Sequence, residues 1–178
     1  MIAAFSIAAT LGAIAHGLQL SDSTLKLIWP CIFFSLGIVV ACFVLGAIHE
    51  LWGQRASQRL IPVMALIVIT YTLISIFGDG GFIIFIIYEA IGMLLALSIY
   101  LYIYAQRQHP NALWMIIGIL ITIIAAVVQA MGKHQITIIW PFDHNGIFHL
   151  IQIVGMAFLF KALKGFFQDE PSLASNPN

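Results

Sequence analysis

The sequence contains few charged residues: only 8% of its 178 residues are charged, whereas 62% are hydrophobic. A soluble domain of this size carries roughly 25% charged residues, so a water-facing surface could not be built from this composition. The formal net charge is zero, which argues against nucleic acid as a partner. We therefore predict an integral membrane protein in which lipid surrounds most side chains.

Cysteine is also scarce, and several catalytic motifs are missing. Cys31 and Cys42 are the two cysteines, and on one helix they would lie roughly 16 Å apart, beyond disulfide reach. The chain has no glycine-rich phosphate loop, no Cys-x-x-Cys pair, no His-Glu-x-x-His and no Gly-x-Ser-x-Gly elbow. Nothing in the sequence therefore supports nucleotide or serine-hydrolase chemistry.

Long apolar segments are abundant instead. A membrane-spanning helix needs roughly 20 mainly apolar residues, and the chain offers such segments at 2–20, 28–48, 60–77, 82–104, 112–131 and 146–163. Because no Lys or Arg precedes Lys26, the first segment is predicted as a membrane helix and not as a secretory signal. We expect an all-α, polytopic membrane helix bundle of about six transmembrane helices, forming one domain over residues 1–167 with a flexible tail over 168–178.

Basic residues are distributed unevenly between the two ends of these spans. Six spans place five basic residues on one membrane face and two, Lys26 and Lys133, on the other; the five are Arg55, Arg59, Arg107, Lys161 and Lys164. The positive-inside rule predicts that both termini are cytoplasmic.

Several polar residues fall near the opposite, outer face. His16 lies near the end of helix one, Asp143, His144 and His149 open helix six, and Glu89 lies roughly 12 Å into helix four. The same face would also receive Asp79, Gln129 and His134. Polar groups inside spans usually face the bundle or a cavity and are often functional.

Each of these residues also has a purely structural interpretation. Asp143 could cap the last helix, His16 could be a helix-packing histidine, and His149 could bond to a neighbouring carbonyl group. Glu89 could be a neutral acid that is bonded to a neighbouring helix; its functional alternatives are a hydrogen-bond partner of a metal ligand and a proton carrier. His144 and His149 would lie roughly 140° apart on a regular helix, so both can bind one metal ion only if His144 belongs to a non-helical entry.

A metal site is the functional alternative. Helix one is predicted to run outward and helix six inward, so His16 and His149 can meet at one depth. Three neutral imidazoles that leave a fourth position open are a typical catalytic zinc arrangement. We therefore consider His16, His144 and His149 as candidate zinc ligands.

The segment Phe142-Asp143-His144-Asn145-Gly146-Ile147-Phe148-His149-Leu150-Ile151-Gln152 resembles the last-helix histidine motif of the CREST superfamily. That superfamily includes alkaline ceramidases and the progestin and adipoQ receptors. The resemblance implies a seven-helix membrane fold, here without its first helix, with zinc held by three histidines and amide-linked lipids as substrates.

Residue by residue, His144 and His149 match the paired histidines of that motif, and His16 matches the ligand on the second helix. The sequence departs from the pattern in three places: the pair is five and not four positions apart, Gly12 stands where a serine is usual, and Asp22, in a loop, is the one candidate for the helical aspartate.

The leading hypothesis is a zinc-dependent intramembrane hydrolase-like protein that acts on lipid amides or esters. Zinc would activate a water molecule and polarise the substrate carbonyl group, and Asp143, Asp22 or Glu89 would accept the proton. The first alternative is a non-catalytic subunit of a larger membrane complex, in contact with other membrane subunits or with further copies of itself. The second is a haem protein for electron transfer in which His16 and His149 are the axial ligands.

Overall fold

The computed structural model describes residues 2–78, 80–107, 109–131, 136–137 and 141–174, and these residues are almost entirely helical. The helices are α1 (Ile2–Gly17), α2 (Asp22–Phe77), α3 (Gly81–Ala105), α4 (Ala112–Ala130) and α5 (His144–Ala174). Two short antiparallel strands, β1 (Ile136–Thr137) and β2 (Pro141–Phe142), precede α5. The predicted all-α fold is confirmed.

The 56-residue helix α2 folds back on itself at Gly53, whose φ and ψ are 79° and 174°. A straight helix of this length would extend roughly 84 Å, far beyond the roughly 30 Å hydrocarbon core. The ring of Tyr71 instead packs against Gly37, and the hydroxyl of Ser57 donates to the carbonyl of Leu45 at 3.0 Å. We call residues 22–52 the first arm and residues 54–77 the second arm; the two arms are antiparallel.

The chain divides into two compact units, Met1–Ala96 and Leu97–Asn178, which we call unit 1 and unit 2. The sequence had predicted a single domain over 1–167. Residues 168–174, the beginning of the predicted flexible tail, belong to α5, whereas residues 175–178 lie outside the described part.

Unit 1 is held together by an aromatic core between the arms of α2 and the first half of α3. Its buried centre is formed by Phe33, Tyr71 and Phe85, around which five half-buried side chains pack: Trp29, Leu36, Phe82, Ile84 and Tyr88. The helix α1 packs along α2. A methyl group at Gly92 would lie only 2.5 Å from Val40, so α3 approaches the first arm closely because position 92 has no side chain.

Unit 2 is built on the antiparallel pair α4 and α5. A methyl group at Gly155 would be 3.3 Å from the Gly118 carbonyl oxygen, and one at Gly118 would be 3.0 Å from the Leu159 amide nitrogen. Small residues of this kind let two helix backbones approach closely, which is the usual basis of helix packing in lipid.

Four described helices are long and apolar enough to cross a membrane: α2, α3, α4 and residues Gly146–Phe166 of α5. The predicted first span, 2–20, is shorter than expected, because α1 has 16 residues and ends at Gly17. At roughly 1.5 Å per residue it extends roughly 24 Å, less than the hydrocarbon core. The coarse prediction of several apolar membrane helices is therefore confirmed.

Candidate functional site

The start of α2 is defined by a local cap that also positions two charged side chains. Ser21 is the N-cap, and its hydroxyl accepts a hydrogen bond from the Thr24 amide at 3.3 Å. Asp22 is therefore in the first helical turn, where the helix dipole favours an acidic residue. Lys26 follows one turn later on the same face, and both side chains are exposed.

A cavity of about 370 Å³ opens beside these residues in unit 1. The first arm of α2 supplies most of its wall, because positions 22, 26, 29–30 and 33 share one helical face. The second arm supplies the opposite wall through Ser75 and Ile76. The lining residues are Asp22, Leu25, Lys26, Trp29, Pro30, Phe33, Ser75 and Ile76.

The cavity passes from a charged rim to a buried interior. Asp22 and Lys26 are exposed, Trp29 is half-buried, and Phe33 and Ser75 are only 6% and 4% exposed. This gradient matches an amphiphile, which has one polar end and one apolar end.

Ser75 is the unusual residue in this wall. Its hydroxyl oxygen is buried and has no hydrogen-bond partner in the described part of the chain. One turn earlier, the hydroxyl of Tyr71 is buried and also lacks a hydrogen bond of good geometry, although it lies close enough to Ser75 for the two side chains to interact. Leaving a buried hydroxyl without a partner costs about 1–3 kcal/mol, so a polar group from outside the chain would be favourable beside Ser75.

Further polar side chains lie behind this wall, in the aromatic core. The ring of Tyr88 stacks on that of Tyr71, with centroids 4.3 Å apart, and its hydroxyl donates to the Gly37 carbonyl at 3.0 Å. Glu89 is half-buried on α3, close enough to Tyr71 for an electrostatic interaction. Of the predicted site residues, Glu89 is therefore near the cavity wall without lining it.

His16 and Asp22, two further predicted site residues, belong to unit 1, as Trp29 does. His16 is exposed in the last turn of α1, and its ring meets the Trp29 ring edge-on with centroids 5.6 Å apart. Asp22 and Trp29 line the same cavity. Trp29 thus contacts His16 and lines one cavity with Asp22.

The other predicted site residues, Asp143, His144 and His149, belong to unit 2. The carboxylate of Asp143 accepts a hydrogen bond from the Gly146 amide at 2.8 Å, so it caps α5, which is the structural interpretation that the sequence allowed. His149 is exposed, and its ring lies against Phe148 with centroids 4.9 Å apart.

The predicted zinc ligands do not form a described ligand set. His16 is in unit 1 and His149 in unit 2, the side chain of His144 lies outside the described part, and so do Asp79 and His134. Among the described residues, no three His, Cys, Asp or Glu side chains are grouped closely enough to hold a metal ion. Zinc binding stays a prediction from the sequence.

Sequence reasoning missed the residues that build the cavity. Trp29 lies at the end of a predicted span, where tryptophan usually belongs to the interfacial aromatic belt, and Lys26 bears in the sequence only on the orientation and on the absence of a secretory signal. Ser75 gave no signal, because one hydroxyl in an apolar span is usually bonded to its own helix, as Thr72 is to the Val68 carbonyl at 2.7 Å.

Comparison with known proteins gives one match. No curated protein and no solved structure matches the chain. Residues 1–167, nearly the whole sequence, match a family that is described as a family of unknown function. The chain therefore belongs to this family, DUF6962.

Proposed function

We propose that this protein is a multi-pass membrane protein that binds a membrane lipid in the unit 1 cavity. The observation that carries the proposal is the buried, unpartnered hydroxyl of Ser75 in the wall of a cavity with a charged rim. A lipid ester or hydroxyl oxygen would give this group a hydrogen-bond partner. The acyl chain would contact Phe33 and Ile76.

The outer surface supports lipid as the surrounding solvent. Large apolar side chains are strongly exposed along the arms of α2 and along α3: Leu27 is 74% exposed, Leu66 65%, Phe77 81% and Ile91 64%. Exposing this much apolar surface to water would be unfavourable, at roughly 25 cal/mol per Å². In a bilayer the same surface costs nothing to expose.

Six crossings are part of the same proposal. The two arms of α2 and the helices α3, α4 and α5 are each long enough to span the hydrocarbon core. The sixth crossing is α1, whose roughly 24 Å would require local thinning of the bilayer, and the total number of crossings is then even. Both termini are then on one side. Arg55 and Arg59 follow the Gly53 turn, so the positive-inside rule assigns this turn and both termini to the cytoplasm.

Photolabelling tests the lipid site. The purified chain is placed in bilayers that contain phospholipids with a diazirine in the acyl chain, irradiated and digested. We expect concentrated labelling in the peptides that contain residues 22–33 and 75–76. In Ser75→Ala the labelling should fall about fivefold, the change that roughly 1 kcal/mol produces.

Thr72→Val is the matched control, because it removes a buried hydroxyl from the same arm that is already bonded within the helix and does not line the cavity. This variant should label as the unmodified chain does. Labelling spread evenly over all lipid-facing helices would contradict the proposed site.

Zinc-dependent hydrolysis of lipid amides or esters is the hypothesis from the sequence, and it predicts about one zinc ion per chain. Elemental analysis of the purified protein and of His149→Ala tests it directly. Protein without zinc, or equal zinc content in both forms, would refute it. An absorption spectrum of the same sample tests the haem alternative through the Soret band, and co-purifying chains would support the subunit alternative.

A further inference from the structure

The rim of the unit 1 cavity carries one negative and one positive side chain, Asp22 and Lys26. They lie four residues apart on one helical face, and both line the cavity. Neither takes part in an ion pair within the described part of the chain. The rim therefore presents two opposite charges that do not neutralise each other by direct contact.

Trp29 adds a third group to this rim. Its indole ring is half-buried, lines the same cavity one turn after Lys26, and is fixed by His16 and Phe33, with ring centroids 5.6 Å away in each case. Tryptophan is the most favourable aromatic side chain for cation–π contact, and such rings recognise quaternary ammonium groups. A ring fixed by its neighbours loses little entropy when it binds a ligand.

We propose that the cavity selects a zwitterionic headgroup that carries a phosphate and an amine or quaternary ammonium group. This inference rests on the lipid-binding function proposed above and specifies the lipid class. The phosphate would pair with Lys26, and the cationic end would contact Asp22 one turn nearer the start of α2, with the Trp29 ring on the other side of Lys26 as the alternative cation–π partner. Ser75, deeper in the wall, would donate its hydroxyl to an ester oxygen.

Charge argues against the two simpler headgroup classes. An anionic headgroup would pair with Lys26 but would be repelled by Asp22. A purely cationic headgroup would pair with Asp22 but would be repelled by Lys26. Only a headgroup with both charges satisfies the two side chains together. At a membrane surface such pairing is only partly screened by salt, because the Debye length of about 8 Å exceeds the contact distances.

The test is a competition between two lipids. The full-length chain is reconstituted in nanodiscs that contain equimolar photoactivatable phosphatidylcholine and phosphatidylglycerol, and the two adducts on the cavity peptides are counted. We expect phosphatidylcholine to be preferred about fivefold, equivalent to roughly 1 kcal/mol. Asp22→Asn should shift the ratio toward phosphatidylglycerol, and Lys26→Gln should lower labelling by both lipids.

The control variant is Lys164→Gln, which removes an exposed lysine from unit 2 and should leave the ratio unchanged. Absence of any lipid adduct on the cavity peptides would overturn the lipid-binding function itself. Equal labelling by the two lipids, or an unchanged ratio in Asp22→Asn, would overturn only the headgroup inference.

Competition with soluble phosphocholine distinguishes a membrane lipid from a soluble zwitterion as the source of this headgroup. Added to the same nanodiscs in excess, it should not displace phosphatidylcholine, because it lacks the acyl chains that contact Phe33 and Ile76. Displacement at concentrations near those of the lipid would assign the site to a soluble zwitterion and would contradict the lipid assignment.

Discussion

At the residue scale, the hydroxyl groups of unit 1 show how the same side-chain chemistry has different consequences. The Thr72 hydroxyl donates to a carbonyl of its own helix, and Tyr88 donates to a carbonyl of another helix, whereas the Ser75 hydroxyl forms no hydrogen bond of good geometry in the described part of the chain. Ser75 therefore lowers the stability of the lipid-free chain and is free to interact with a ligand. Functional sites often carry such a cost.

This cost predicts that Ser75→Ala stabilises the protein when lipid is absent. Removing a buried, unpartnered hydroxyl should raise the free energy of unfolding by about 1 kcal/mol. Reversible unfolding of the delipidated chain in mixed detergent micelles measures the effect. A loss of stability would show that the Ser75 hydroxyl has a partner within the chain.

At the element scale, the fold-back of α2 depends on one glycine. Gly53 adopts a φ of 79° with a ψ of 174°, a region that is essentially restricted to glycine because it has no Cβ atom. This turn brings Ser75 and Ile76 of the second arm to the cavity wall formed by the first arm. The local conformation of Gly53 is therefore a condition for the site.

We expect Gly53→Ala to destabilise the protein by about 1–3 kcal/mol through this backbone strain. Gly46→Ala is the matched control: Gly46 is exposed inside the helical part of the first arm and has no atom near its missing side chain. Alanine there should be neutral or stabilising by up to about 1 kcal/mol. Thermal unfolding of both variants in one detergent compares them, and equal effects would refute the role of the turn.

The pair α4 and α5 gives a second prediction for a helix element. At Gly155 a side chain would meet the Thr122 hydroxyl at 3.1 Å and the Gly118 carbonyl at 3.3 Å. Gly155→Leu should therefore separate the helices and cost about 1–3 kcal/mol through overpacking. Ala157→Leu, at an exposed position of α5, should be close to neutral. Unfolding in detergent micelles measures both, and a tolerated Gly155→Leu would contradict close packing of the pair.

At the scale of the whole molecule, composition determines the solvent and the basic residues determine the expected orientation. Only 8% of the residues are charged, so charge can be placed at few positions, and five of the seven basic residues are predicted on one face. The proposed cytoplasmic turn at Gly53 and the charged start of α2 should then lie on opposite sides of the bilayer.

Cysteine labelling in sealed vesicles tests this orientation. In a background of Cys31→Ser and Cys42→Ser, we expect Gln54→Cys to react with an impermeant thiol reagent only from the cytoplasmic side. Ser23→Cys should react only from the opposite side. Reaction of both positions from the same side would refute the proposed crossing of the first arm.

Particular residues show how much of the fold and of the candidate site could be predicted from the sequence. The polar segment 49–59, predicted as a connection, contains the Gly53 turn, and Asp143 caps α5 because its carboxylate lies three residues before an unpaired helical amide. The length of α1 and the division into two units were not predicted. The cavity was missed because Trp29 and Ser75 are 46 positions apart in the sequence and carry no shared motif.

The sequence alone determined that the chain is helical and apolar enough for a bilayer, because backbone groups in lipid must be paired within their own segment. It also determined where polar residues interrupt the apolar segments. Only the tertiary structure decided which polar groups share a cavity and which hydroxyls stay unpaired. These outcomes depend on how two arms separated by a glycine turn pack together, and packing of distant segments is not encoded in local periodicity.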